Sequence, residues 1–110
     1  MRRRTVRCSP EAVERAQEHF PSGGDSLGRP SWALFERTLL RAATAQFARD
    51  FEGAQAETPD YPVRFVVTAP TPLFPEPVAF FAVLTSPDAV EIIDIVVDRN
   101  YPVALADPDD

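Results

Sequence analysis

Arg64, Arg99 and Tyr101 are the residues whose types and placement point first to chemistry in this 110-residue chain. Residues 1–49 hold nine arginines against five acids, a net of +4, and residues 50–110 hold two arginines against twelve acids, a net of −10, which together give the overall −6. Arg64 and Arg99 are the two cations of the acidic half, and each sits in an apolar run that reads as a strand. Tyr101 follows Arg99 by two residues, so on an extended chain both side chains project to one face. Arginine keeps its proton near neutral pH and the chain has no lysine. These positions therefore offer fixed positive charge, not an amine base or a Schiff base. An arginine in such a run also serves a plainer purpose, covering apolar core with its long stem at a strand end.

Composition narrows the setting. One hundred and ten residues make one domain. The single cysteine, Cys8, rules out an internal disulfide and a metal site built on cysteine spacing. No cofactor motif is present, and Asp94 and Asp98 lack the further ligand that a metal would need, so the expectation is no metal and no cofactor. Arg2, Arg3 and Arg4 are not followed by the apolar stretch of a signal peptide. Nothing approaches a membrane span. The protein is expected to be cytoplasmic. A pI near 4.7 argues against unaided nucleic-acid binding, in which phosphate contacts supply most of the affinity.

The elements that would position these residues follow from pattern. Thr5 to Cys8 reads as a short strand with Val6 and Cys8 inward. Ser9-Pro10-Glu11 supplies a capping serine, a proline at the first helical position and an acid in the first turn, which starts a helix running to about Phe20. Glu11 and Arg15, four apart, suit an ion pair along it. A long helix is predicted from Pro30 or Ser31 to Phe51, where Trp32, Phe35, Leu39, Ala43, Phe47 and Phe51 draw an apolar stripe. Arg37, Arg41 and Arg49 fall on roughly the opposite side, as a solvated face or as a basic ridge that meets a phosphate backbone or an acidic partner peptide. Gly53 ends the helix, and residues 53–60 read as a polar linker. Three strands follow: Tyr61 to Ala69, with Arg64, Val66 and Thr68 on one face; Val78 to Thr85; and Ala89 to Asp98, buried against the long helix. The last two form a hairpin, and the proline-rich stretch from Pro70 to Pro77 cannot be a central strand.

The predicted fold is α+β, a short N-terminal strand and two helices packed on one face of a mainly antiparallel sheet in β-α-α-β-β-β order. One domain spans residues 1–103, and residues 104–110 form an acidic disordered tail.

This order resembles the RelE/ParE superfamily of bacterial toxin–antitoxin toxins. Val6-Arg7-Cys8-Ser9-Pro10-Glu11-Ala12 is similar to the strand that runs into "SPEA" in many members. Tyr61-Pro62-Val63-Arg64-Phe65 stands where members often carry an arginine, and Ile92 to Tyr101 is similar to a final strand closing on a basic residue and a tyrosine. The resemblance implies one of two activities. The nuclease branch cleaves messenger RNA on the ribosome by attack of a ribose 2′-hydroxyl on the neighbouring phosphate. It would use Arg64 and Arg99 for charge stabilisation, Tyr101 to orient a base or exchange a proton, and Glu91 or Glu76 as the base. The binding branch inhibits DNA gyrase without cleaving RNA, and an acidic chain without lysine suits it better. Either branch implies an antitoxin partner, for which the Arg37, Arg41 and Arg49 face is suited by charge. Three functions thus stand open: a toxin-like binder neutralised by an antitoxin, a ribosome-dependent mRNA endonuclease, and an acidic α+β interaction domain unrelated to toxins, in which the apolar Val78 to Leu84 strand would serve a homodimer.

Overall fold

The computed structural model describes residues 3–23, 30–56, 60 and 62–97. The elements run β1 (Thr5–Cys8), α1 (Pro10–His19), α2 (Trp32–Phe35), a π-helical turn (Glu36–Leu40), α3 (Arg41–Asp50), β2 (Gln55–Ala56), β3 (Arg64–Val67), β4 (Val78–Ser86) and β5 (Ala89–Val97). The five strands make one sheet in the order β1-β5-β4-β3-β2. β1 runs parallel to β5 and the other neighbours are antiparallel. The α+β arrangement expected from pattern is the one observed, with the two-residue β2 added at one edge.

Both helix starts are set locally. The Ser9 hydroxyl accepts from the Ala12 amide at 3.1 Å, with Pro10 as the first helical residue, and the Ser31 hydroxyl accepts from the Leu34 amide at 3.2 Å. At the far end of α3 the Asp50 carboxylate accepts from the Gly53 amide at 3.0 Å. A Cβ at Gly53 would lie 2.2 Å from that carboxylate, so a larger residue there would turn the Asp50 side chain aside.

The apolar stripe of the long helix is not laid out at a constant period. Phe35, Leu40, Ala43, Phe47 and Phe51 are buried, whereas Leu39, expected to carry the stripe, is only half-buried. The step of five from Phe35 to Leu40 is the π turn, which closes on the fifth residue instead of the fourth. Within it the Thr38 hydroxyl donates to the Leu34 carbonyl at 2.6 Å.

α1 lies over β5, and the long helix is carried by β4 and β1. The core is organised by Phe35. Its ring stacks on Phe20, just past α1, with centroids 4.4 Å apart, and on Phe80 of β4 at 5.9 Å. Phe74, from the proline-rich stretch, meets Phe20 and Phe35 edge-on at 5.7 and 6.2 Å.

In β5 the inward positions are Val90 and Ile92, then Ile95 and Val97. The register passes from Ala82 opposite Ile92 to Phe81 opposite Asp94, leaving Ile93 as an extra residue. This bulge re-phases the strand. Residues an even number along from Glu91 therefore share its face only as far as Ile93, and Val97, six residues on, is buried on the other side. Replacing Phe35 by alanine removes the ring that touches α1's end, the proline stretch and β4 together. A loss of about 3–5 kcal/mol is expected, read as a lower denaturant midpoint with an unchanged slope.

Candidate functional site

The described arginines divide by what they touch. Arg4 forms a two-pronged pair with Glu52, both bonds 2.7 Å, and its Nε donates to the Pro87 carbonyl at 2.9 Å. It thereby ties the N-terminal strand to the end of the long helix and to the β4–β5 turn. The Arg4 hydrogen bond is the chief reason the Glu52 carboxyl is held below the usual carboxylate range. Arg7 reaches Glu91 on the neighbouring strand at 3.3 Å. Arg15 pairs with Asp94 at the bulge and not with Glu11 along its own helix. The same Asp94 oxygen accepts from the Ile95 amide at 2.9 Å. The register of β1 ends at Ile92, so beyond it that flank of β5 has no strand partner among the described residues. The Arg15–Asp94 pair lies beside the open flank, where a bulge and charged side chains discourage strand addition.

Arg64 is also engaged. It stands opposite the fully buried Ala82 in the sheet register, hence on the face that carries the helices. Its Nη1 donates to the carbonyls of Glu52 and Ala54, each at 2.8 Å, and its guanidinium lies 5.9 Å from the centre of the Phe51 ring. These bonds satisfy carbonyls of the turn that leads from the helix into β2. The geometry gives Arg64 an architectural task, fixing the helix-to-β2 turn against β3.

The other sequence-predicted site residues do not converge on Arg64. Glu91 lies on the outer face of β5, opposite Val83, while Arg64 lies on the inner face of β3, two strands away. Glu76 is half-buried in the proline-rich stretch. Arg99, Tyr101 and Asp98, like the proposed tail at 104–110, fall outside the described residues. Among the described residues no three His, Cys, Asp or Glu side chains are grouped to hold a metal ion, and no helix is long and apolar enough to cross a membrane. Cys8 is no nucleophile at neutral pH, since burial, with the Glu91 charge adding to it, pushes its thiol up to about 11.

Arg37, Arg41 and Arg49 are different. All three are exposed on one helical rod, and none has an ion-pair partner among the described residues. Arg37 lies within the π turn and Arg41 directly follows it. Sequence spacing marked the three residues but not this turn, because adjacent Leu39 and Leu40 conceal which of them continues the buried stripe.

The carbonyl bonds of Arg64 yield a measurable expectation. Arg64→Ala should lower folding stability by about 1–2 kcal/mol by leaving the Glu52 and Ala54 carbonyls without their donor. Arg64→Lys should recover part of that loss in the same denaturant titration. No protein-family model, curated protein or solved structure matches the chain.

Proposed function

We propose that this chain is a protein-binding module whose working surface is the Arg37, Arg41 and Arg49 ridge, and that its partner presents an acidic segment to that ridge. The observation that carries the reading is the contrast among the arginines. Arg4, Arg7, Arg15 and Arg64 are engaged within the fold, whereas Arg37, Arg41 and Arg49 on one helix, like Arg3 ahead of the first strand, are exposed and have no ion pair among the described residues. Arginine suits such a surface because its planar fork meets a carboxylate in two parallel bonds. Each exposed pair adds only about 0.2–1 kcal/mol. The ridge would thus speed encounter and select acidic partners, with affinity strongly dependent on salt.

The RelE/ParE resemblance supplies a biological setting for this module, a cytoplasmic toxin-like protein that acts by binding and is held by an acidic antitoxin. The strand-helix-helix-strand order supports that setting. The nuclease alternative gains less support, since the Arg64 guanidinium is occupied by backbone carbonyls.

Two experiments test the reading. An oligoglutamate peptide, followed by fluorescence anisotropy, should bind wild type at low salt and lose at least tenfold in affinity to the Arg37→Glu/Arg41→Glu/Arg49→Glu variant. Equal binding by both proteins would remove the ridge from the account. The toxin setting is tested separately by induced expression in bacteria: growth arrest by folded wild-type protein supports it, and normal growth at high soluble levels leaves an interaction module of another kind.

A further inference from the structure

The segment ahead of β1 is fastened to the end of the long helix by main chain as well as by side chain. The Arg4 amide donates to the Ala48 carbonyl at 2.9 Å. That carbonyl is one of the last four of α3, which find no partner inside the helix. The bond also limits how far apart the neighbouring residues can be. With the covalent links on either side of it fixed, the Cα atoms of Arg3 and Arg49 lie within about 8 Å of each other. Both residues are exposed, and neither has an ion pair among the described residues. The acids at this end are committed elsewhere: Glu52 to the two prongs of Arg4, and Asp50 to the Gly53 amide. Arg41 precedes Ala48 by seven residues, nearly two full turns. It therefore lies on the side of α3 that Arg4 touches, about 10 Å along the axis.

We infer that Arg3 completes the basic ridge from a separate segment, and that an acidic protein segment lies along α3 with its last carboxylate shared by Arg49 and Arg3. The inference rests on the ridge as the working surface and adds to it a fourth cation and a length. Two like charges held this close repel, and a carboxylate placed between them relieves the repulsion while pairing with both. Each guanidinium offers a planar fork for that purpose. The length follows from the helix. Arg37 and Arg49 are twelve residues apart, about 18 Å at ~1.5 Å per residue, and Arg3 adds at most about 8 Å. An extended partner at ~3.3 Å per residue covers that span with about six to eight residues. The net −6 of the chain bears on the class of partner. A nucleic acid carries dense charge along its whole length and would be repelled by the acidic remainder of the molecule. A short acidic stretch in an otherwise mixed protein would meet that repulsion only briefly.

Fluorescence anisotropy of a labelled octaglutamate peptide with the full chain at low salt tests the inference. Arg3→Glu should weaken binding roughly three- to tenfold and Arg3→Gln about two- to threefold, whereas Arg3→Lys should keep most of the affinity. Gln17→Glu, at an exposed position on α1, lowers the net charge by the same single unit as Arg3→Gln and should leave binding unchanged. Full binding by Arg3→Glu, or a loss in Gln17→Glu equal to that in Arg3→Gln, would overturn the inference. The ridge itself would survive that result as long as the Arg37→Glu/Arg41→Glu/Arg49→Glu variant binds weakly. Wild-type binding by the triple variant would remove the ridge, and this inference with it. A single-stranded oligonucleotide of the same length that binds more tightly than the peptide would overturn the acidic protein segment as the occupant.

Discussion

The fold depends on the stack of rings around Phe35. A two-layer domain of this size must fasten two helices and an irregular proline-rich segment to one sheet, and here a single side chain touches all of them. Phe20 brings the end of α1, Phe80 brings the sheet, and Phe74 turns the segment after β3 inward. Such rings contribute through buried area and through offset or edge-on geometry, each pair adding roughly 0.5–1.5 kcal/mol beyond area. The remaining aliphatic core, Val78, Val90, Ile92 and Ile95, is fully buried beneath them.

Around this apolar centre the arginines act as fasteners at the margins. Arg4 joins the first strand to the end of the long helix, Arg15 joins α1 to the bulge, and Arg64 holds the turn where helix gives way to strand. The distribution explains why the split of charge along the chain is not a split in space. Basic residues of the first half meet acidic residues of the second, as Arg4 with Glu52, Arg7 with Glu91 and Arg15 with Asp94 all show. Among the described residues, Arg37, Arg41 and Arg49 form the group of exposed cations without an ion pair that lies on one helix, which is why that surface carries the functional reading.

How much of this was legible in the sequence varied with the range of the interaction. The Ser9 cap, the inward pair Val6 and Cys8, and the β4–β5 hairpin each rest on neighbours a few residues apart, and pattern captured them. The two residues of β2 are too few to show a period. The bulge at Ile93 is hidden because Ile92, Ile93 and Ile95 are all apolar, so the run Ala89–Val97 does not announce where its alternation slips. Arg64 could be marked as unusual, but its partners are main-chain carbonyls ten and twelve residues away, and composition carries no sign of them. Arg37, Arg41 and Arg49 were visible as a spacing, while their lack of an ion pair among the described residues emerged only from the packed structure.

The π turn from Glu36 to Leu40 carries a consequence for how this helix tolerates change in length. A wide turn is the form a helix takes when it holds one residue more than its fixed ends require. Phe35 is anchored on Phe20 and Phe80 on one side, and Ala43 and Phe47 lie buried on the other, so the surplus is stored between them as a loop of slack. Removing one residue from that turn would let the backbone relax to an ordinary α-helix without moving either anchor. The buried contacts on either side would be kept, while the angle between Arg37 and Arg41 around the helix axis would change.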